Sequence, residues 1–243
     1  TPTPSKSEAA KSGIQSLNIN VIPLSKVYST TTRDFELTDN SIIARADIAS
    51  ESAPGAGDGL LGKVPVTTSG SNDQVLSNGF MSHKDSAEVS ALGQKLPLTY
   101  TSVYKDFSNQ MRIGHIDGVA VFSGIELPVN GVAVIGNKTL TLPTEGNVSY
   151  IGNATYRLTG LDNAIQYGSA ELTADFAAKK VDGNLKFSQA GNIGISGDIV
   201  GNEFSGAKDG YATEGAFYGD DAKYLGGIFL GNNAQGTFGA EKK

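Results

Sequence analysis

Two histidines and no cysteine set the chemistry open to this 243-residue chain. Without cysteine there are no disulfides, thiolate zinc sites, iron–sulfur clusters or cysteine nucleophiles. Both histidines lie in the first half, in Phe80-Met81-Ser82-His83 and in Met111-Arg112-Ile113-Gly114-His115. Each follows a small residue that leaves its imidazole approachable, and each has a methionine nearby. A neutral imidazole can ligate haem iron, and Phe80, Met81, Ile113 and Ile116 could pack on porphyrin faces. From spacing alone each reads more readily as an ordinary surface or hydrogen-bonded histidine, and spacing does not bring the two together.

Other chemistry has less behind it. There is no Gly-x-Ser-x-Gly elbow and no His-Glu-x-x-His helix, so a catalyst is not expected. Asp220-Asp221 reads as a cap on a short turn at 222–225. The run from Gly57 to Gly62 spells a dinucleotide fingerprint, but it follows loop rather than strand, and Pro65 blocks the helix such a site needs. Asn137, Asn147 and Asn153 fit the glycosylation pattern, yet each falls where a turn asparagine is expected anyway. Lys plus Arg total 19 against 25 Asp plus Glu, a net charge of −6, which argues against nucleic acid. No apolar run approaches the roughly 20 residues of a membrane helix, so membrane insertion is not expected.

The elements that must position the histidines are strands. Residues 1–13 read as a flexible tail. Leu17, Ile19 and Val21 alternate with asparagines, and Phe35–Leu37 and Ile42–Ile48 read as further strands. Ala49 to Gly79 reads as a loop-rich flap ending at Asn78-Gly79, a strong turn signal that places His83 at a turn edge. Strands follow at Leu96–Phe107, carrying Tyr100 and Tyr104, and at Met111–Phe122, with a tight turn at Asn130-Gly131. From 142 onward the composition shifts to short glycine-punctuated hairpins. Ala170, Leu172, Ala174 and Phe176 share one face, and Asp182-Gly183 is expected to turn the chain. The fold expected is all-β: an N-terminal β-rich, handle-like clamp over 14–141, then an eight-stranded antiparallel barrel over 142–243.

Gly215-Ala216-Phe217-Tyr218-Gly219, Ala222, Leu225-Gly226-Gly227 and Phe238-Gly239-Ala240, with Tyr150-Ile151-Gly152 after Leu142-Pro143, resemble the C-terminal barrel of transferrin-binding-protein-B-like surface proteins of Gram-negative bacteria. That resemblance implies cargo exported by an outer-membrane translocator of the Slam-dependent kind. A small clamp followed by one barrel looks like the haem-scavenging hemophilin group. The implied function is a secreted hemophore that takes haem, with host haemoproteins as a source, and delivers it to an outer-membrane receptor. The resemblance then puts iron between His83 and His115, with Met81 alongside, Tyr100 or Tyr104 as reserve ligand, and Arg112, Lys84 or Lys105 on the propionates. The other reading is a lipid-anchored surface protein that binds a host protein such as transferrin or a complement regulator.

Overall fold

The computed structural model describes residues 42–48, 72–91, 94–108, 110–158 and 162–243. The expected tail, the strands at 17–21 and 35–37 and the glycine loop at 57–62 lie outside them. The described chain is all-β. Strands β1 (Ile42–Ile48), β2 (Gln74–Val75), β3 (Met81–Ala91), β4 (Gln94–Phe107), β5 (Met111–Phe122) and β6 (Ile125–Gly136) form one antiparallel sheet in the order β1-β6-β5-β4-β3-β2. Strands β7 (Asn147–Leu158), β8 (Gln166–Asp175), β9 (Lys180–Phe187), β10 (Gly191–Val200), β11 (Glu203–Lys208), β12 (Tyr211–Tyr218), β13 (Tyr224–Gly231) and β14 (Ala234–Lys242) close an eight-stranded antiparallel barrel. Among the described residues, no helix is long and apolar enough to cross a membrane.

Alternation builds the barrel core. Ala170, Leu172 and Ala174 are buried while Glu171 and Thr173 are exposed, so β8 turns one face inward. Phe204, Phe217 and Phe238 cluster inside, the first two edge to face with centroids 5.8 Å apart. These rings need room. A Cβ on Gly215 would lie 2.2 Å from Phe204 Cζ, and one on Gly227 would lie 2.6 Å from Phe238 Cζ. A 3₁₀ turn at Asp220–Ala222 tucks Ala222 into the core, and its carbonyl accepts a 2.6 Å hydrogen bond from the Tyr150 hydroxyl.

Several turns differ from expectation. Asn130-Gly131 runs through the middle of β6, because the Asn130 side chain is buried in hydrogen bonds; the chain reverses instead at Ser123-Gly124, both at positive φ. Asp182-Gly183 lies within β9, and the reversal falls before it, ending at Lys179 with φ 57°. Asp220 and Asp221 make up the 3₁₀ turn itself rather than capping one, and no side chain caps it. The end of the expected flap, 72–79, forms half of a hairpin: Gln74 pairs Ser82 and Val75 pairs Met81 around Asn78-Gly79, with Gly79 at φ 86°. His83 therefore sits inside β3 and not at a turn edge.

The sheet lies against the outside of the barrel. Phe80, Phe107, Met111, Ile113, Val132 and Val134 meet Ala216, Tyr218, Tyr224, Ile228 and Leu230 in one apolar cluster. Polar contacts ring it, among them Lys105 Nζ donating to Asn153 Oδ1 at 2.6 Å and a Lys138–Glu203 ion pair.

Candidate functional site

Strand register decides which candidate side chains can meet. Residues opposite one another across an antiparallel pair share a face, and neighbours along a strand alternate. His83 pairs Ser102 and Ser102 pairs Ile116, whereas Val103 pairs His115. His83 and His115 thus point to opposite faces of the sheet, from strands two positions apart, or about 10 Å of backbone. Met81, Tyr100, Tyr104 and Arg112 fall on the His83 face by the same register. Five of the six candidates are brought to one surface, and His115 is left on the other.

On the barrel side, His115 is fully buried with both ring nitrogens engaged. Nδ1 lies 2.8 Å from Thr155 Oγ1 and Nε2 lies 2.6 Å from Asn130 Oδ1. Since an amide oxygen only accepts, Nε2 carries the hydrogen, and Nδ1 accepts from the Thr155 hydroxyl. Burial pushes the imidazole down to about 3; the Asn130 hydrogen bond opposes that, and the Arg157 guanidinium adds to it. In this arrangement both ring nitrogens of His115 are held by protein partners. Its chemistry is to join sheet to barrel.

The His83 face carries a connected polar cluster. Asp73, with its side chain 3 % exposed, accepts from His83 Nδ1 at 2.7 Å and from the Tyr104 hydroxyl at 2.5 Å. A carboxylate only accepts, so Nδ1 holds a hydrogen, and in the neutral imidazole Nε2 then presents its lone pair. That Nε2 is enclosed and has no hydrogen-bond partner. Burial raises the Tyr104 phenol, and the Asp73 hydrogen bond raises it further, so Tyr104 stays a neutral donor. Arg112 is buried, holds Asp106 through Nε at 2.6 Å and Nη2 at 3.0 Å, and lies 4.7 Å from the Tyr104 ring centroid. Tyr100 flanks His83 with ring centroids 6.2 Å apart. Of the expected propionate partners, Arg112 is committed to Asp106, and Lys105 is turned to the barrel face. The burial there lowers the Lys105 ammonium's affinity for its proton.

Asp73 was not among the candidates, though a signal for it existed. A hairpin centred on Asn78 sets residue 73 opposite residue 83, so reading Asn78-Gly79 as a hairpin rather than as the end of a loop would have found it.

Eight strands closed into a barrel with a six-stranded sheet against its outside, and glycines where rings and strands crowd, have counterparts among known proteins. Residues 142–242 match the family of C-lobe and N-lobe beta barrels of Tf-binding protein B. That family covers the barrel and stops short of the sheet. A crystal structure of Transferrin Binding Protein B from Haemophilus parasuis Hp5, a double mutant, is 20% identical and covers 83% of this chain and 45% of that one with a TM-score of 0.50. It shares the fold. A structure described as a surface lipoprotein is 18% identical, covering 52% of this chain and 75% of that one with a TM-score of 0.42. An uncharacterized protein of Haemophilus influenzae is 35% identical over 121 residues, covering 44% of this chain. The chain spans 41% of the length of that curated relative.

Proposed function

We propose that this chain is a non-catalytic binding protein of the bacterial cell surface, serving iron acquisition by capturing a host protein such as transferrin. A complement regulator is the other host partner this reading admits. What supports it is the match of residues 142–242 to the barrels of Tf-binding protein B. On this reading the barrel is the frame, and the sheet packed beside it presents the contact surface.

The test is direct: immobilise the full chain and measure binding of iron-loaded and iron-free human transferrin by biolayer interferometry, with a complement regulator in parallel. Saturable binding with a Kd in the micromolar range or tighter is expected for one of them. Flat responses to both, up to about 50 μM, would falsify this reading.

A second reading, a secreted haem carrier serving an outer-membrane receptor, keeps one observation in its favour. His83 is oriented by Asp73 and leaves Nε2 unpartnered, as an axial ligand must. Haem as cargo would then be held by His83 singly, beside Tyr100 and Tyr104. A hemin titration followed in the Soret region separates the cases: this reading expects a shift that survives His115→Gln and disappears in His83→Ala.

A further inference from the structure

We propose that His83 and Asp85 form a binding site for a borderline divalent transition cation, zinc being the reference ion, with Asp73 as the group that orients the histidine. The two donors stand two residues apart on one face of β3. Each is already aimed. Asp73 accepts the His83 Nδ1 hydrogen at 2.7 Å, which in the neutral imidazole leaves Nε2 with the lone pair, and the Ser86 backbone N–H donates to Asp85 Oδ1 at 2.8 Å, which leaves Oδ2 as the oxygen nearer His83 Nε2. The separation between His83 Nε2 and Asp85 Oδ2 is 3.7 Å.

That separation is informative. It is too long for a hydrogen bond, and Nε2 has no other partner. Two donors sharing a four-coordinate zinc at bond lengths of about 2.0–2.2 Å lie about 3.3–3.5 Å apart, so the observed gap is within a few tenths of an ångström of a bridged pair. A carboxylate–imidazole–metal relay of this kind fixes the tautomer and raises the basicity of the coordinating nitrogen. The other coordination positions fall to water, for which the adjoining pocket of about 360 Å³ has room.

The pocket also selects among occupants. It is lined by Asn72, Asp73, Gln74, Ser82, Lys84 and Asp85 around His83. A porphyrin needs apolar walls on both faces, and these walls are polar, so a hydrated ion fits the described side chains better than a macrocycle. Imidazole with carboxylate favours zinc, nickel or copper over magnesium or calcium, which take all-oxygen sites.

Isothermal titration of the full, metal-stripped chain with Zn²⁺ is expected to give one site of micromolar affinity, with Mg²⁺ silent. His83→Ala and Asp85→Asn should each weaken it at least tenfold, and Asp73→Asn about tenfold through loss of orientation alone. Asp85 is 60 % exposed, so Asp85→Asn tests the site without threatening the fold. Co²⁺ in place of Zn²⁺ should give visible absorption that is lost in His83→Ala. Absence of Zn²⁺ binding up to about 1 mM, affinity unchanged in Asp85→Asn, or a hemin complex on His83 in a chain that ignores Zn²⁺ would each overturn the assignment. Transferrin binding is measured separately and does not depend on the outcome.

Discussion

At the scale of single residues, buried His115 and half-buried Glu214 shift stability with pH in opposite senses. His115 is pushed down to about 3 by burial from an ordinary 6.5. The unfolded chain therefore takes up a proton between those values that the folded chain refuses, and stability falls with falling pH by about 1.4 kcal/mol per unit. Glu214 behaves in the opposite sense. Burial, then the Glu203 carboxylate, raise it from 4.5 to about 7, with Lys138 opposing. Between these limits the folded chain holds the extra proton, so its contribution to stability is lost as pH rises, at a comparable slope reduced by partial solvent access. The two slopes offset between roughly pH 4.5 and 6.5, and each variant should unmask the other. Glu214→Gln is expected to make the melting temperature fall steadily with acidification below about pH 6.5. His115→Gln should make it rise with acidification toward pH 4.5. Melting temperatures recorded at half-unit intervals check both, and identical profiles for wild type and variants would contradict the assignment.

Among the elements, β13 and β14 show why glycine marks this barrel on its outside as well as within. Gly226 and Gly239 are register partners on the outer wall, and together they make the socket for Met111 of β5. A Cβ on Gly226 would lie 2.6 Å from Met111 Sδ, and one on Gly239 would come within 2.8 Å of Phe107 and 2.9 Å of Ile113 and Met111. The sulfur can swing aside, whereas the ring and the branched chain yield less. Gly239→Ala is therefore expected to cost about 1–3 kcal/mol, more than Gly226→Ala, and Met111→Ala about 2–5 kcal/mol by leaving the socket empty. Chemical denaturation of the three variants gives the ranking. Asn78-Gly79 is a true hairpin turn, while Asn130-Gly131 and Asp182-Gly183 carry the same vocabulary inside strands. In the first, the asparagine amide bonds across the domains; in the second, a Cβ on Gly183 would lie 2.2 Å from Glu171 O, so closeness of backbones requires the glycine.

For the whole molecule, the sheet and barrel form one block because polar side chains reach across their apolar contact. Arg157 of β7 is fully buried, pairs with Asp117 Oδ1 at 3.0 Å, donates to Val129 O at 2.8 Å through Nη1 and to Asn163 O at 2.9 Å through Nε. Removing it strands a partly buried carboxylate, and Arg157→Leu is expected to cost about 2–4 kcal/mol and to expose the junction to limited proteolysis. One calorimetric transition in the wild type, splitting or broadening in the variant, is the predicted signature. Alternation and composition are local properties, so the all-β class, the glycine-dense barrel after 142 and the residue types open to ligand chemistry are legible in the chain alone. So is the placement of Tyr100, Tyr104 and Arg112 on strands near a histidine. That His83 and His115 occupy opposite faces, and that His115 spends both nitrogens on the domain junction, is settled by folding. Register across non-adjacent strands fixes those facts, and no spacing along one chain encodes it.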